Sequence, residues 1–307
     1  DLIRRSEFSS VYTPYQPEMS QGTLQSIFEF QSLVSSLVGM EICNASMYDG
    51  ASATAEAALM AMRISKREKI LVTRSTHPFY RQTLDTYLGH RPEILDEIPF
   101  VKESGRLDLT ILKQALSGKP AALLIQNPNF FGIIEALPEI ISLVHGAGAL
   151  LVAIINEPLA YGLIESPGFF GADIVAGELQ SFGIPLQLGG PYVGFLATRL
   201  EHVRNLPGRI AGATTDSNGK RGFVLTLSTR EQHIRREKSF SNICTNQALC
   251  ALVTTIYLAL LGKTGIQKLA QQNYDRARIL RERLAVENNL KPTFSATPFN
   301  EFAIAVP

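Results

Sequence analysis

An α/β fold with three layers, helices on both faces of a mostly parallel sheet, is predicted by three features of the sequence. Short apolar runs alternate with helical stretches from residue 69 onward, 45% of the residues are hydrophobic, and 307 residues suffice to bury a large core. With 29 Lys and Arg against 28 Asp and Glu the net charge is only +1. No field is available to make nucleic acid or an anionic membrane the default partner, so a small molecule or a protein is expected. Cys43, Cys244 and Cys250 lack any spacing suited to zinc and fit a reducing cytoplasm. No charged-then-apolar leader opens the sequence. Residues 1–16 already read as domain interior without an initiator Met, so the chain is expected to be cut short there.

After Pro14 and Pro17, the residues Leu24, Ile27, Phe28, Leu33, Val34, Leu37 and Val38 recur near helical spacing and stop at Gly39, which predicts a long amphipathic helix. The turn Asp49-Gly50-Ala51-Ser52 opens a second helix over 53–64, Ala-rich and suited to close packing on a sheet. Strands are expected at 70–73, 94–98, 121–126, 149–155 and 173–175, with helices at 78–88, 109–116 and 137–146 between them. A further strand should cover 192–198, after the Gly189-Gly190 pair. Asn218-Gly219 takes positive φ readily and predicts a type I′ hairpin joining 210–215 to 222–227. Helices then follow at 229–238, 246–261 and 265–288, and a last strand at 301–306.

The apolar run 248–262 is interrupted by Thr254, Thr255 and Tyr257. It is shorter than the roughly 18 to 20 residues of a spanning helix and reads as a buried core helix. The expected organisation is a large domain over 1–262 with an N-terminal arm at 1–21, then 263–307 as the start of a smaller α+β domain, also cut short. The opening segment 12–30 is expected to offer an apolar interface to a like-folded chain.

Phosphate-loop, dinucleotide-fold, nucleophile-elbow and zinc-helix motifs are absent. The five histidines, His77, His90, His145, His202 and His233, are scattered. What remains is an ordered constellation. Gly50, Ala51 and Ser52 stand at a helix start, where free N–H groups suit a phosphate; plain N-capping by Asp49 and Ser52 is the alternative. His77 follows one strand, Asn127 and Pro128 the next, Asn156 another, and Gln180 with Ser181 the last. Parallel strands bring these ends to one crevice, the place where such folds bind ligands.

That order resembles the fold type I pyridoxal phosphate enzymes, the aminotransferase superfamily. The resemblance implies phosphate at Gly50, Ala51 and Ser52 and ring stacking at His77, unless His77 is an ordinary structural histidine. It places Asn156 where a ring-pairing Asp is expected. Gln180 takes the place of the lysine that anchors the cofactor, or Ser181 does if the alignment slips by one. An Asn amide carries no charge for the pyridine nitrogen, and a Gln amide is no nucleophile. No lysine lies between Lys119 and Lys220.

Longer runs narrow the resemblance. Tyr12-Thr13-Pro14-Tyr15-Gln16-Pro17-Glu18, Tyr48-Asp49-Gly50-Ala51, Gly171-Ala172-Asp173-Ile174-Val175 with Gly177-Glu178, and the stretch from Gly219 through Leu227 are similar to the glycine decarboxylase family, the P-protein of the glycine cleavage system. Thr229 through Lys238 and Ser241-Asn242-Ile243-Cys244-Thr245-Asn246-Gln247 complete the match, and all of these runs are similar to subunit 1, the α subunit of the two-subunit form. The resemblance implies a heterotetrameric assembly in which subunit 2 binds the pyridoxal phosphate, with the lipoyl H-protein as second partner. The present chain would then hold only a vestigial pocket of Gly50, Ala51, Ser52, His77, Asn127, Asn156 and Gln180. Its basic segment 229–238 would face a partner or simply solvent. Two other readings stay open: a stand-alone aminotransferase- or desulfurase-like enzyme using Lys220, and a catalytically silent scaffold of the same fold.

Overall fold

The computed structural model describes residues 2–9, 13–287 and 290–306. Tyr12 and Asn288, which bound two of the expected segments, lie outside them. A single turn, α1 (Ser6–Ser9), precedes α2 (Gln21–Val38). In α2 the residues Leu24, Ile27, Phe30, Val34 and Val38 are buried, because steps of three and four keep them on one face. The helix stops at Gly39, whose φ of 71° is a left-handed conformation that a Cβ resists. Within the segment expected to offer an interface, Leu24, Ile27 and Phe30 pack inside this chain's own core, Phe28 is half-buried, and Tyr15 and Met19 are exposed.

β1 (Ile42–Cys43) leads to α3 (Gly50–Ser65), which buries Ala53, Ala55, Ala57, Ala58 and Ala61. Then follow β2 (Ile70–Thr73), α4 (Pro78–Tyr87), β3 (Leu95–Ile98), α5 (Leu109–Leu116), β4 (Ala122–Gln126), α6 (Leu137–Gly146) and β5 (Leu150–Ile155). A short turn, α7 (Pro167–Phe170), precedes β6 (Ile174–Glu178) and β7 (Gly194–Thr198). These strands form one sheet in the order β1-β7-β6-β5-β4-β2-β3. The strands from β2 to β6 pair in parallel, while β7 runs antiparallel to β6 and β1 antiparallel to β7. Alternation along β4 feeds two cores: Leu123 and Ile125 pack with Phe30 and Ile140, and Leu124 packs with Ala57 and Ala58 of α3. This is the three-layer arrangement expected from the sequence.

Four local expectations are corrected. β8 (Ile210–Thr215) and β9 (Arg221–Thr226) form the hairpin, but only Gly219 has positive φ. Asp216 and Lys220 still pair, so the loop is the three residues 217–219, closed by Gly219 N–H to the Asp216 carbonyl at 3.0 Å and by the Asp216 carboxylate accepting from Asn218 and Lys220. Residues 229–238 are not one helix: α8 (Gln232–Arg235) sits between two tight turns, and Arg236 at φ 52° breaks the winding. The helices expected at 246–261 and 265–288 are both present and are treated together as α9 (Ala248–Glu287), whose winding breaks at Gly262, where φ 57° and ψ −176° are not helical.

By length and composition α9 could cross a membrane. It packs on α2 and on the turn Pro158–Gly162, burying Leu252 and Leu258 but leaving Leu249 and Leu260 exposed, so it is a half-covered helix and not a wholly buried one. Finally, 301–306 forms no strand beyond a single bridge, Pro292 to Ile304. It pairs with 291–293, through Thr293 N–H on the Ala303 carbonyl at 2.9 Å and Ala305 N–H on the Lys291 carbonyl at 3.2 Å, while the residues before it are held by Phe299 N–H on the Gly132 carbonyl at 2.8 Å and Ser295 N–H on the Glu103 carbonyl at 2.8 Å.

Candidate functional site

The C-terminal ends of β2, β4, β5 and β6 open at one side of the sheet, and the first turn of α3 meets the end of β6 there. Glu178, the last residue of β6, is buried at 6% exposure. Its Oε2 accepts the Gly50 N–H at 3.0 Å, and its Oε1 accepts those of Leu179, Gln180 and Val193 at 3.1, 3.0 and 2.7 Å. Burial pushes this carboxyl up to about 6, against the pull of those N–H donors and with Asp49 adding to the rise. Asp49 caps α3, accepting the Ser52 N–H at 2.7 Å. The Tyr80 hydroxyl lies over Gly50, where it leaves no room for a Cβ, and donates to Asn156 Oδ1 at 3.0 Å. Burial, with Glu178 and Asp49 nearby, raises the Tyr80 hydroxyl well above its ordinary range, so it stays a neutral donor.

His77 stands at the mouth. Its backbone N–H donates to Gln126 Oε1 at 2.8 Å, its Nδ1 accepts the Phe79 N–H at 3.2 Å, and burial lowers its pKa. The ring packs 5.4 Å from Tyr80 and 5.0 Å from Phe130. The Gln180 amide donates to the Pro191 carbonyl at 3.2 Å, and the Ser181 hydroxyl donates to Glu157 at 3.0 Å.

The fold therefore brings Gly50, Ala51, Ser52, Asn156 and Gln180 around one place, with His77 one ring away. Asn127 is the exception. It is 2% exposed, its Oδ1 accepts the Glu135 N–H at 2.9 Å and its carbonyl accepts the Tyr161 hydroxyl at 2.6 Å, so it braces the following loop instead of lining the crevice. Lys220 is exposed at the β8–β9 tip, on a hairpin that packs against α2. The residues that sequence reasoning passed over are Glu178 and Tyr80. Their signals were weak: an acid ending an apolar strand two positions before Gln180, and an aromatic one helical turn after His77.

A family model described as glycine cleavage system P-protein matches residues 1–306. The chain belongs to the glycine cleavage system P-protein family. A relative from Anaeromyxobacter dehalogenans, described as probable glycine dehydrogenase (decarboxylating) subunit 1, is 54% identical over 301 residues, which is 98% of this chain and 67% of that one. A second such subunit 1, from Desulfitobacterium hafniense, is 54% identical over 303 residues, 99% of this chain and 67% of its own. The crystal structure of a glycine decarboxylase P-protein in inhibitor-bound form superposes with a TM-score of 0.94 at 45% identity, over 100% of this chain and 68% of that one. The fold is that of the fold type I pyridoxal phosphate enzymes, and pyridoxal phosphate is the cofactor of such proteins.

Within this P-protein chain the crevice residues do not fit that cofactor. The N–H groups of Gly50 and Ser52 are already taken by the carboxylates of Glu178 and Asp49. The Tyr80 hydroxyl covers Gly50, Asn156 offers an amide already bonded to it, and the side chain at 180 is an amide bonded to Pro191. A phosphate brought here would face two carboxylates at short range, which is repulsive in a buried setting.

Proposed function

We propose that this chain is the half of a two-subunit glycine decarboxylase that carries no pyridoxal phosphate, and that it completes a dimer with a like-folded subunit 2 that does. The observation that carries this reading is the absence of any lysine between Lys119 and Lys220 in a chain so similar to proteins described as subunit 1. On this reading glycine decarboxylation and aminomethyl transfer to the lipoyl arm of H-protein belong to the cytoplasmic assembly. The residues of this chain supply a closed, rigid crevice wall and the surface against which the partner is shaped. Residues 263–307 are the opening of a second, smaller domain.

The test is reconstitution with the full-length chain. Alone it should catalyse no exchange between glycine and bicarbonate, and mixed with subunit 2 and H-protein it should. Exchange by the purified single chain sinks the proposal.

A further inference from the structure

We propose that the start of α3 and the two strand ends beside it form an oxyanion cradle that this chain fills permanently with its own Glu178 carboxylate, so that the crevice is a self-liganded site closed to phosphorylated compounds. The inference deepens the functional reading given above and rests on it only for the expectation that no cofactor is needed here.

Four backbone N–H groups converge on one carboxylate, from Gly50 at the helix start, from Leu179 and Gln180 after β6, and from Val193 at the entry to β7. Free N–H groups gathered from separate segments, with a helix start among them, are what recognises a small oxyanion in proteins generally. Here the anion is built in, delivered from the strand that ends at the cradle. Among the described residues no Lys, Arg or His makes an ion pair with Glu178, so its buried charge is balanced by these N–H groups and the helix start. The surroundings also keep a second anion out. The Tyr80 hydroxyl roofs Gly50, and Asp49, the cap of the same helix, adds a second negative charge that a larger anion would have to approach.

Glu178→Ala deletes a group with the atoms of acetate and leaves the four donors aimed at the vacated space. In the full-length chain this variant should melt lower than the wild type and recover saturably with added acetate at constant ionic strength, while chloride gives no such recovery. The wild-type melting temperature should respond to neither anion, and calorimetry with inorganic phosphate should give no saturable heat on the wild type. An acetate response no larger than that to chloride, or saturable phosphate binding to the wild type, overturns the proposal.

If Glu178→Ala is recovered only as aggregate, its refolding yield in acetate against chloride provides the same comparison. Glu178→Gln, which keeps the shape but replaces one acceptor oxygen by a donor, should fold and show amide hydrogen exchange at least tenfold faster at Gly50 or Val193. Unchanged exchange at both would count against the cradle. A failed rescue in a chain that is inactive alone removes only this inference, whereas glycine exchange by the single chain removes the functional reading.

Discussion

Glu135, buried away from the crevice, contributes to the pH dependence of stability. It is 5% exposed, its Oε2 accepts the Leu107 N–H at 3.1 Å, its Oε1 accepts from the Asn129 amide at 2.8 Å, and burial lifts its carboxyl from 4.5 to about 7. Glu178 is lifted likewise to about 6. A folded-state value above the unfolded one means that the native state binds the proton more tightly. The associated stability is therefore complete below pH 4.5 and is lost as the pH rises through about 6 to 7. For Glu135 the loss is at most about 3 kcal/mol across that window. Denaturation at a series of pH values should show this decline, and Glu135→Gln should flatten it; an unchanged slope in the variant would refute the assignment. Gly50 gives a second expectation at this scale. A Cβ there meets Tyr80 Cζ at 2.9 Å and Glu178 Cβ at 3.0 Å, so Gly50→Ala should lower stability by about 1–3 kcal/mol, read from the denaturant midpoint.

At the scale of elements, the kink of α9 is the converse case. Gly262 sits at φ 57° and ψ −176° with nothing within 4 Å of an added Cβ, so Gly262→Ala meets a backbone that tolerates only glycine, in open space. A loss of about 1–3 kcal/mol in chemical denaturation is expected, and a neutral result would mean the helix straightens without penalty. The same element shows what the sequence could convey. Strands β2, β4, β5 and β6 were legible because strands covered on both faces are continuous apolar runs. Two-residue β1 was not, since no pattern fits in two residues. The basic segment around α8 carries helical composition, yet the buried Arg230, bonded to the Leu206 and Gly208 carbonyls, pins its start and Arg236 breaks its end. In the crevice, the positions of Gly50, Asn156 and Gln180 followed from strand order. The inward bracing of Asn127 did not, because chain order says which residue ends a strand and not which way its side chain turns.

At the scale of the whole molecule, three layers frame a crevice that is closed by the chain's own side chains. Treatment of the full-length chain with pyridoxal phosphate and borohydride should leave no phosphopyridoxyl label anywhere over residues 121–219, a span without lysine. A single stoichiometric adduct at Lys220 would instead make the chain a stand-alone enzyme. Gln180→Lys alone should restore no glycine exchange, because Asn156 remains an uncharged amide and Glu178 still occupies the helix start. One further property follows from β3, one of the two edge strands of the sheet. Its centre is Asp96-Glu97, and those carboxylates are held by Lys69 at 2.5 Å, by Arg74 at 3.1 Å and by Arg81. An open rim of a parallel sheet is a template for adventitious strand addition, and here it wears a layer of fixed charge that an incoming strand would have to strip away. That rim resists aggregation by edge-to-edge stacking at the β3 side of the sheet.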